Sequence, residues 1–268
     1  QEEVKVVPIP SQEEPQVETA LAPEIPGGAI AFALFDSTPG LEVYEVHLIN
    51  PDGTQHRTFP LAGVSEPALH PNQNDYPLAV RGWGGPAISR QIVSSDLGGN
   101  SPQAVSHFWE DAQPDWSPIE NRLIFASQRE SDRRWRLYTA WGDGSLEVNL
   151  RREGRSPTLA PDGQHFAFEG CDETGNRCGL WLSSLGESEH EAQPFLIVPE
   201  AKAQDWSPVN EEIVYMTSAG DNWDIYLINS NGRNMRRLTD DPANDGLPTW
   251  SPDGEWIAFV SDRGGQWG

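Results

Sequence analysis

A short proline-containing segment followed by an apolar run recurs through this sequence at nearly constant spacing. The clearest copy reads Thr-Trp-Ser-Pro-Asp-Gly at 249–254 and is followed by Trp-Ile-Ala-Phe-Val at 256–260. The corresponding prolines of the five copies are Pro71, Pro118, Pro161, Pro208 and Pro252, which are 47, 43, 47 and 44 residues apart. A constant period of this size is typical of repeat architectures in which each repeat forms one small unit. It favours one repeat domain over two unrelated domains.

Each repeat also contains further apolar stretches that are separated by turn residues. In the repeat at 204–239, the stretch 223–228 is followed by Asn-Ser-Asn-Gly and then by 235–238, and the segment 43–59 shows the same order. Four short strands joined by hairpin turns are the content of one blade of a β-propeller. The sequence therefore predicts an all-β fold, a β-propeller of four-stranded antiparallel blades.

The repeat positions also predict the domain boundaries. Residues 1–27 are rich in Pro, Glu and Gln, and such a composition is typical of a disordered linker. The propeller then covers 28–268, with full blades at about 67–109, 114–150, 156–198 and 204–239 and partial blades at 28–62 and 247–268. A ring of about six blades is thus incomplete. Either a longer chain supplies the remaining strands, or a partner or neighbouring subunit pairs with the open edge.

Several motifs together resemble the WD40-like, or PD40, repeat of the TolB-like β-propeller family. They are Pro-x-Trp-Ser-Pro-Asp-Gly at 248–254, Ile-Ala-Phe-x-Ser-Asp-Arg at 257–263, Trp-Asp-Ile-Tyr at 223–226 and Arg-Arg-Leu-Thr at 236–239. The resemblance is strongest over 204–263 and weakest before 109. It implies a propeller, commonly six-bladed, that lies outside the bacterial cytoplasm and mainly binds proteins.

The resemblance leads to two expectations for function, because a fold alone does not determine activity. We expect a non-catalytic extracytoplasmic module, periplasmic, surface-located or secreted, that binds, scaffolds or senses a protein partner. The alternative is the propeller domain of a larger enzyme, a prolyl-oligopeptidase-like peptidase or a polysaccharide lyase, whose catalytic part lies outside this chain. No nucleophile elbow, phosphate-binding loop or zinc-helix motif is found in the sequence, which favours the first expectation.

The charge and hydropathy of the chain limit its partners. The formal net charge is -23, which argues against nucleic acid and against an anionic membrane surface as partners. No apolar run reaches the ~20 residues of a membrane span. A membrane association is therefore expected only through an anchor that would precede residue 1.

The two cysteines are expected to form a disulfide. Cys171 follows one predicted strand and Cys178 precedes the next, so the two residues face each other across the neck of a hairpin, at a distance that suits a disulfide. Such a bond indicates an oxidising compartment. Two unpaired thiols at a loop are the alternative.

Acidic residues recur near the innermost strand of several blades. Asp115 and Asp205 precede a tryptophan at the position of Thr249, and carboxylates or amides occur in the turns that lead into the inner strands. The predicted cation or partner site at the channel mouth consists of Asp111, Asp115, Glu200, Asp205, Asn244 and Asp245. Converging oxygens attract Ca²⁺ or the Lys and Arg side chains of a partner. The alternative is that these carboxylates accept backbone N–H groups in the turns; no other cofactor is expected.

The eleven tryptophans divide into two predicted classes. Trp116, Trp206 and Trp250 lie on inner strands, where large rings fill the space between twisted sheets. Trp83 lies in the glycine-rich segment 81–86 and is the candidate for an exposed contact with a partner.

Overall fold

The protein is described by a computed structural model that covers residues 5–8, 29–37, 43–71, 78–82, 91–100, 102–186, 194–218 and 220–265. Strands and turns account for the regular structure of these ranges, and no helix in them is long and apolar enough to cross a membrane. The all-β prediction is confirmed. Trp83 lies outside the described residues, and its predicted exposure stays a prediction.

The regular structure of the described residues consists of β-strands. In chain order these are β1 (Lys5–Pro8), β2 (Ile30–Asp36), β3 (Val43–Ile49), β4 (Arg57–Thr58), β5 (Val64–Leu69), β6 (Leu78–Gly82), β7 (Ile92–Ser95), β8 (Gln103–Ala104), β9 (Asp111–Trp116), β10 (Arg122–Ser127), β11 (Arg136–Trp141), β12 (Val148–Glu153), β13 (Arg155–Leu159), β14 (His165–Cys171), β15 (Cys178–Ser184), β16 (Phe195–Pro199), β17 (Lys202–Trp206), β18 (Glu212–Thr217), β19 (Asp224–Asn229), β20 (Arg236–Arg237), β21 (Asp245–Trp250) and β22 (Trp256–Ser261).

These strands pair into six antiparallel sheets, which are the blades. Blade one contains β2–β4, and blades two to five contain β5–β8, β9–β12, β13–β16 and β17–β20, four strands each. Blade six contains β21 and β22 and, on the outer side of β22, β1. The order confirms the predicted four full blades with a partial first and a partial last blade.

The hydrophobic core lies between neighbouring blades. Five clusters of buried side chains fill the five interfaces from blade one to blade six. Trp116, Trp206 and Trp250 belong to three of these clusters and are at most 8% exposed, which confirms their predicted place in the core. The large rings fill the wedge that opens between twisted sheets.

Strand β1 corrects the predicted linker. Lys5–Pro8 lies within the segment 1–27 but pairs antiparallel with β22, with Lys5 opposite Phe259 and Pro8 opposite Trp256. The outer edge of β22 offers a row of backbone N–H and C=O groups, and a segment that includes two consecutive valines is a suitable partner for it. The other residues of 1–27 lie outside the described ranges, so the linker prediction stays untested there.

Candidate functional site

The inner strands of blades two to six line a central channel, and each of them carries the same β-bulge. The backbone takes a left-handed conformation, with φ between 47° and 56°, at Glu66, Gln113, Ser156, Ala203 and Leu247. The register with the neighbouring strand shifts at each of these positions. A bulge bends the strand and re-aims the side chains that follow it.

Proline follows the left-handed residue in four of the five bulges. Pro67, Pro114, Pro157 and Pro248 occupy this place, whereas Gln204 occupies it in blade five. Proline cannot donate to the hydrogen-bond ladder of a sheet, so a bulge is one of the few places where a strand accepts it. The bulges were not predicted, although a proline two residues before the last residue of the inner strand marks four of them in the sequence.

In blades three to five, the second residue after the left-handed position links its blade to the next one. The carboxylate of Asp115 accepts the N–H of Leu159 at 2.8 Å, and the hydroxyl of Thr158 accepts the N–H of Trp206 at 3.1 Å. The carboxylate of Asp205 accepts the N–H of Trp250 at 2.8 Å. These oxygens satisfy backbone donors of the neighbouring inner strand, which would otherwise be unpaired in the channel wall. Asp115 and Asp205 therefore accept backbone N–H groups, but those of the neighbouring inner strands rather than those of the turns that the alternative names.

The channel cavity has a volume of about 350 Å³. Asp115 and Asp205 are the two ionisable side chains among the residues that line it in the described structure. The remaining wall consists of prolines, apolar side chains and small polar groups. No Lys, Arg or His side chain of that lining compensates the two carboxylates.

Burial and mutual repulsion keep the two carboxyl groups protonated to higher pH than usual. Burial, and then the charge of Asp205, raise the pKa of Asp115 to about 8, although the N–H of Leu159 acts in the opposite direction. Burial also raises the pKa of Asp205, against the hydrogen bonds from Trp250 and Thr249. Two nearby carboxylates in a low-dielectric site resist simultaneous ionisation. The pair therefore retains a proton near neutral pH.

The other four residues of the predicted cation site lie elsewhere. Asp111 and Asp245 are the first residues of β9 and β21, at the opposite end of these strands from Trp116 and Trp250, and both are completely buried. Asp245 is held by Arg263 at 2.5 Å, and the charge of Arg129 acts on Asp111. Asp245 thus has a cationic partner within its own blade, whereas burial raises the pKa of Asp111 and the charge of Arg129 in the same blade only partly offsets this.

Glu200 and Asn244 belong to turns between blades and do not face the channel pair. Glu200 is exposed, and its N–H binds the carbonyl of Cys178 at 3.0 Å. The Asn244 amide donates to Asp262 at 2.7 Å and accepts the N–H of Trp223 at 3.1 Å. The structure therefore divides the six predicted residues among three places, and the channel pair remains as the site.

No group of three or more His, Cys, Asp or Glu side chains in the described part of the chain is arranged to hold a metal ion. A Ca²⁺ ion requires six to eight oxygen ligands. The oxygens of Asp205 already accept hydrogen bonds from Thr158, Thr249 and Trp250. The predicted Ca²⁺ site stays untested, and this donor set fits it poorly.

The predicted disulfide is present. Cys171 and Cys178 are directly opposed in β14 and β15, with their Cα atoms 4.0 Å apart, and their sulfur atoms are bonded. The hairpin loop between them is organised by Asp172, whose carboxylate accepts the N–H groups of Thr174 and Asn176. The bond closes the outer end of the hairpin of blade four, away from the channel.

Comparison with known proteins agrees with this architecture. A family model described as "TolB beta propeller domain" matches residues 154–267. The Tol-Pal system protein TolB of Anaeromyxobacter dehalogenans is 36% identical over 137 residues, which cover 47% of this chain and 30% of that protein. An uncharacterized peptidase of Bacillus subtilis, YuxL, is 25% identical over 180 residues, which cover 64% of this chain and 24% of that protein.

The fold is also that of a solved structure. The crystal structure of TolB from Acinetobacter baumannii superposes with a TM-score of 0.73 at 17% sequence identity, over 93% of this chain and 61% of that one. The chain spans roughly a third of the length of the curated TolB relatives that it matches. The chain therefore has a β-propeller fold like that of TolB, and its residues 154–267 match the model of the TolB propeller domain.

Proposed function

We propose that this propeller is a non-catalytic extracytoplasmic module that binds a protein partner at one end of its channel. The observation that carries the proposal is a pair of exposed apolar side chains at the end where the Ser-Pro turns lie. Ile119 and Val209 follow the cavity-lining Pro118 and Pro208, and they are 59% and 55% exposed. Exposed apolar side chains beside a concave site are typical of a protein interaction surface.

We call this end, formed by the turns at 117–120, 161–163, 207–210 and 251–254, the channel mouth. The exposed carboxylates of its Asp-Gly turns, Asp162 and Asp253, alternate around the mouth with the two apolar side chains. Together with the net charge of -23, they favour a partner that combines an apolar contact with basic groups. The name of the Anaeromyxobacter relative assigns it to a multi-component system, the Tol-Pal system, which supports a protein partner.

The disulfide supports an extracytoplasmic location, since such bonds persist mainly in oxidising compartments. Together with the resemblance to TolB, this favours the periplasm. Fractionation of the source cells by osmotic shock tests the location. Recovery of the protein with reduced Cys171 and Cys178 in the cytoplasmic fraction would contradict it.

Site-specific photo-crosslinking tests the binding surface. The protein carries p-benzoylphenylalanine in place of Ile119 or Val209 and is irradiated in an extract of the source cell envelope. The matched control carries the same residue at Val148, which is 52% exposed on the outer strand β12. We expect discrete adducts from both mouth positions and none from Val148. Adducts of equal yield from all three positions, or none from the mouth, would refute the proposal.

A second candidate function is that of a propeller domain in a larger peptidase. The match to the Bacillus subtilis peptidase, of which this chain covers 24%, favours it. The full-length gene product decides between the two candidates. A Gly-x-Ser-x-Gly nucleophile motif and covalent labelling of its serine by a fluorophosphonate would support the peptidase. Absence of both from the full-length protein leaves the binding module.

A further inference from the structure

Among the described residues that line the channel, two carry carboxylates and none carries a cationic side chain. Asp115 and Asp205 project from the inner strands of blades three and five, on either side of Thr158 in blade four. Thr158 donates its hydroxyl to Asp205 at 3.2 Å. Two carboxylates in a wall of proline and aliphatic side chains are costly to ionise unless a cation joins them.

The same wall contains a third acceptor, an amide oxygen that has no hydrogen-bond donor. Gln204 lines the cavity and is 6% exposed. Its Nε2 donates to the carbonyl of Ser156, whereas its Oε1 has no hydrogen-bond partner in the described structure. The other four bulges carry proline at this position, so Gln204 adds a polar group where the repeat does not require one. A buried amide oxygen without a donor costs about 1–3 kcal/mol, which a ligand that donates to it would remove.

We propose that the channel receives a primary ammonium group on an aliphatic stem, as presented by a lysine side chain of a partner protein. This inference rests on the proposed function and names the chemistry of the partner. An ammonium group has three N–H donors, which match the three acceptors Asp115, Asp205 and Gln204. The methylene stem matches the wall formed by Pro114, Pro157 and Pro248.

Other cations fit the channel less well. A guanidinium group is planar and requires acceptors for five N–H donors in a fork. A Ca²⁺ ion requires six to eight oxygens, and the carboxylate of Asp205 already accepts three hydrogen bonds from Thr158, Thr249 and Trp250. A carboxylate has about four acceptor sites, so Asp205 can accept about one additional N–H donor.

Ammonium binding is expected to release a proton. Burial raises the pKa of both carboxyl groups, so the empty pair holds a proton near neutral pH, and a cation favours the ionised form. The affinity for the ammonium group should therefore rise with pH through the range around 8.

The other charged side chains of the inner strands interact with groups other than the channel pair. These interactions join Glu66 to Arg81, Asp111 to Arg129, Arg155 to Glu169, Lys202 to the Trp223 ring, and Asp245 to Arg263.

The first experiment uses n-butylammonium as the probe and needs no protein partner. Binding is measured by isothermal titration calorimetry and by tryptophan fluorescence, since Trp116, Trp206 and Trp250 line the cavity. The neutral n-butanol and CaCl₂ are titrated in parallel. A tripeptide with blocked ends, Gly-Lys-Gly, distinguishes a lysine side chain from a free amine.

Three variants and one matched control locate the site. Asp115→Asn and Asp205→Asn should each weaken n-butylammonium binding about tenfold or more, since each removes a charged hydrogen-bond partner. Gln204→Met, which leaves both carboxylates and their links between blades in place, should weaken binding about threefold. Asp143→Asn, in the exposed turn after β11, should leave binding unchanged.

The expected result is saturable binding of n-butylammonium and of the lysine tripeptide, with an affinity that increases from pH 6 to about pH 9. The proposal is overturned if n-butanol binds equally well, if the Asn variants bind like the parent, or if Ca²⁺ alone binds the carboxylates. Binding of n-butylammonium without the tripeptide would refute a lysine side chain as the source. If n-butylammonium does not bind while crosslinking at Ile119 still gives discrete adducts, the ammonium inference is refuted and the proposed function stands.

Discussion

Replacing Gly163 with alanine tests whether blades three and four interlock at the channel mouth. Gly163 has φ +64°, and a Cβ atom there would lie 2.8 Å from both Cγ1 and Cδ1 of Ile119 and 3.2 Å from the hydroxyl of Ser117. Carbon atoms in ordinary contact are about 3.5–4.0 Å apart. Ile119, which lies in the turn between β9 and β10 of blade three, would therefore have to move.

The sequence provides a matched control in a second Pro-Asp-Gly turn. Gly53 has φ +80°, and a Cβ atom there meets no other atom within 4 Å. Gly53 and Gly163 both donate the N–H to the carbonyl three residues earlier at 2.9 Å. The left-handed backbone costs an alanine about 1–2 kcal/mol in either turn. The two variants thus differ mainly in the collision with Ile119.

The expected loss in the free energy of unfolding follows from these contacts. Gly53→Ala should lower the free energy of unfolding by about 1 kcal/mol, from backbone strain alone. Gly163→Ala should lower it by about 2–4 kcal/mol, because overpacking adds roughly 1–3 kcal/mol. Ile119→Ala removes a side chain that is 59% exposed and should cost little. The double variant Gly163→Ala/Ile119→Ala should therefore recover about 1–2 kcal/mol relative to additivity.

Chemical denaturation followed by tryptophan fluorescence measures all four variants, and thermal unfolding should show a Tm about 2–4 °C lower per kcal/mol. Equal losses for Gly163→Ala and Gly53→Ala would refute the interlock. Additive losses in the double variant would do so as well, because removing Ile119 would then bring no relief.

Three further predictions concern single interactions. Burial raises the pKa of Asp115 to about 8 from an ordinary value near 4, so the folded state binds more protons than the unfolded state between these pH values. The free energy of unfolding should therefore fall as pH rises through this range, and denaturation of Asp115→Asn from pH 4 to 9 should show a flatter profile. Reduction of the bond between Cys171 and Cys178, which are seven residues apart, should cost about 2.4 kcal/mol by loop entropy, and an unchanged Tm with reductant would contradict this. Arg263→Met leaves the completely buried Asp245 without its 2.5 Å partner and should cost about 3–5 kcal/mol in denaturation; a loss below 1 kcal/mol, as for an exposed pair, would refute it.

The propeller could be predicted because its signals are local. A turn such as Pro-Asp-Gly followed by an alternating apolar run predicts a hairpin, and the constant spacing of the repeated segments predicts how the hairpins are divided among blades. The opposed positions of Cys171 and Cys178 follow from the same hairpin geometry. The core position of Trp116 follows from its place on the first strand of a unit.

The position of β1 could not be predicted, because pairing with β22 joins residues about 250 positions apart in the chain. No local pattern specifies which open edge a short strand joins; the available backbone donors and acceptors decide it. The cation site was predicted too broadly for a related reason. Asp111 and Asp205 look equivalent as acidic residues near inner strands, but only the fold shows that Asp111 lies close to Arg129 whereas Asp205 faces the cavity.

The channel pair also shows why aspartate and threonine alternate at the position before the core residue. In blades three to five this position supplies an acceptor for the next inner strand, through Asp115, Thr158 and Asp205, whereas Ala68 of blade two has no side-chain oxygen. A carboxylate at every position would bring like charges into adjacent blades, which is unfavourable in a wall of low dielectric. A threonine hydroxyl accepts a backbone N–H and still donates, as Thr158 and Thr249 both do to Asp205. The alternation therefore satisfies these links between blades while the uncharged hydroxyl of Thr158 separates the two carboxylates of the channel.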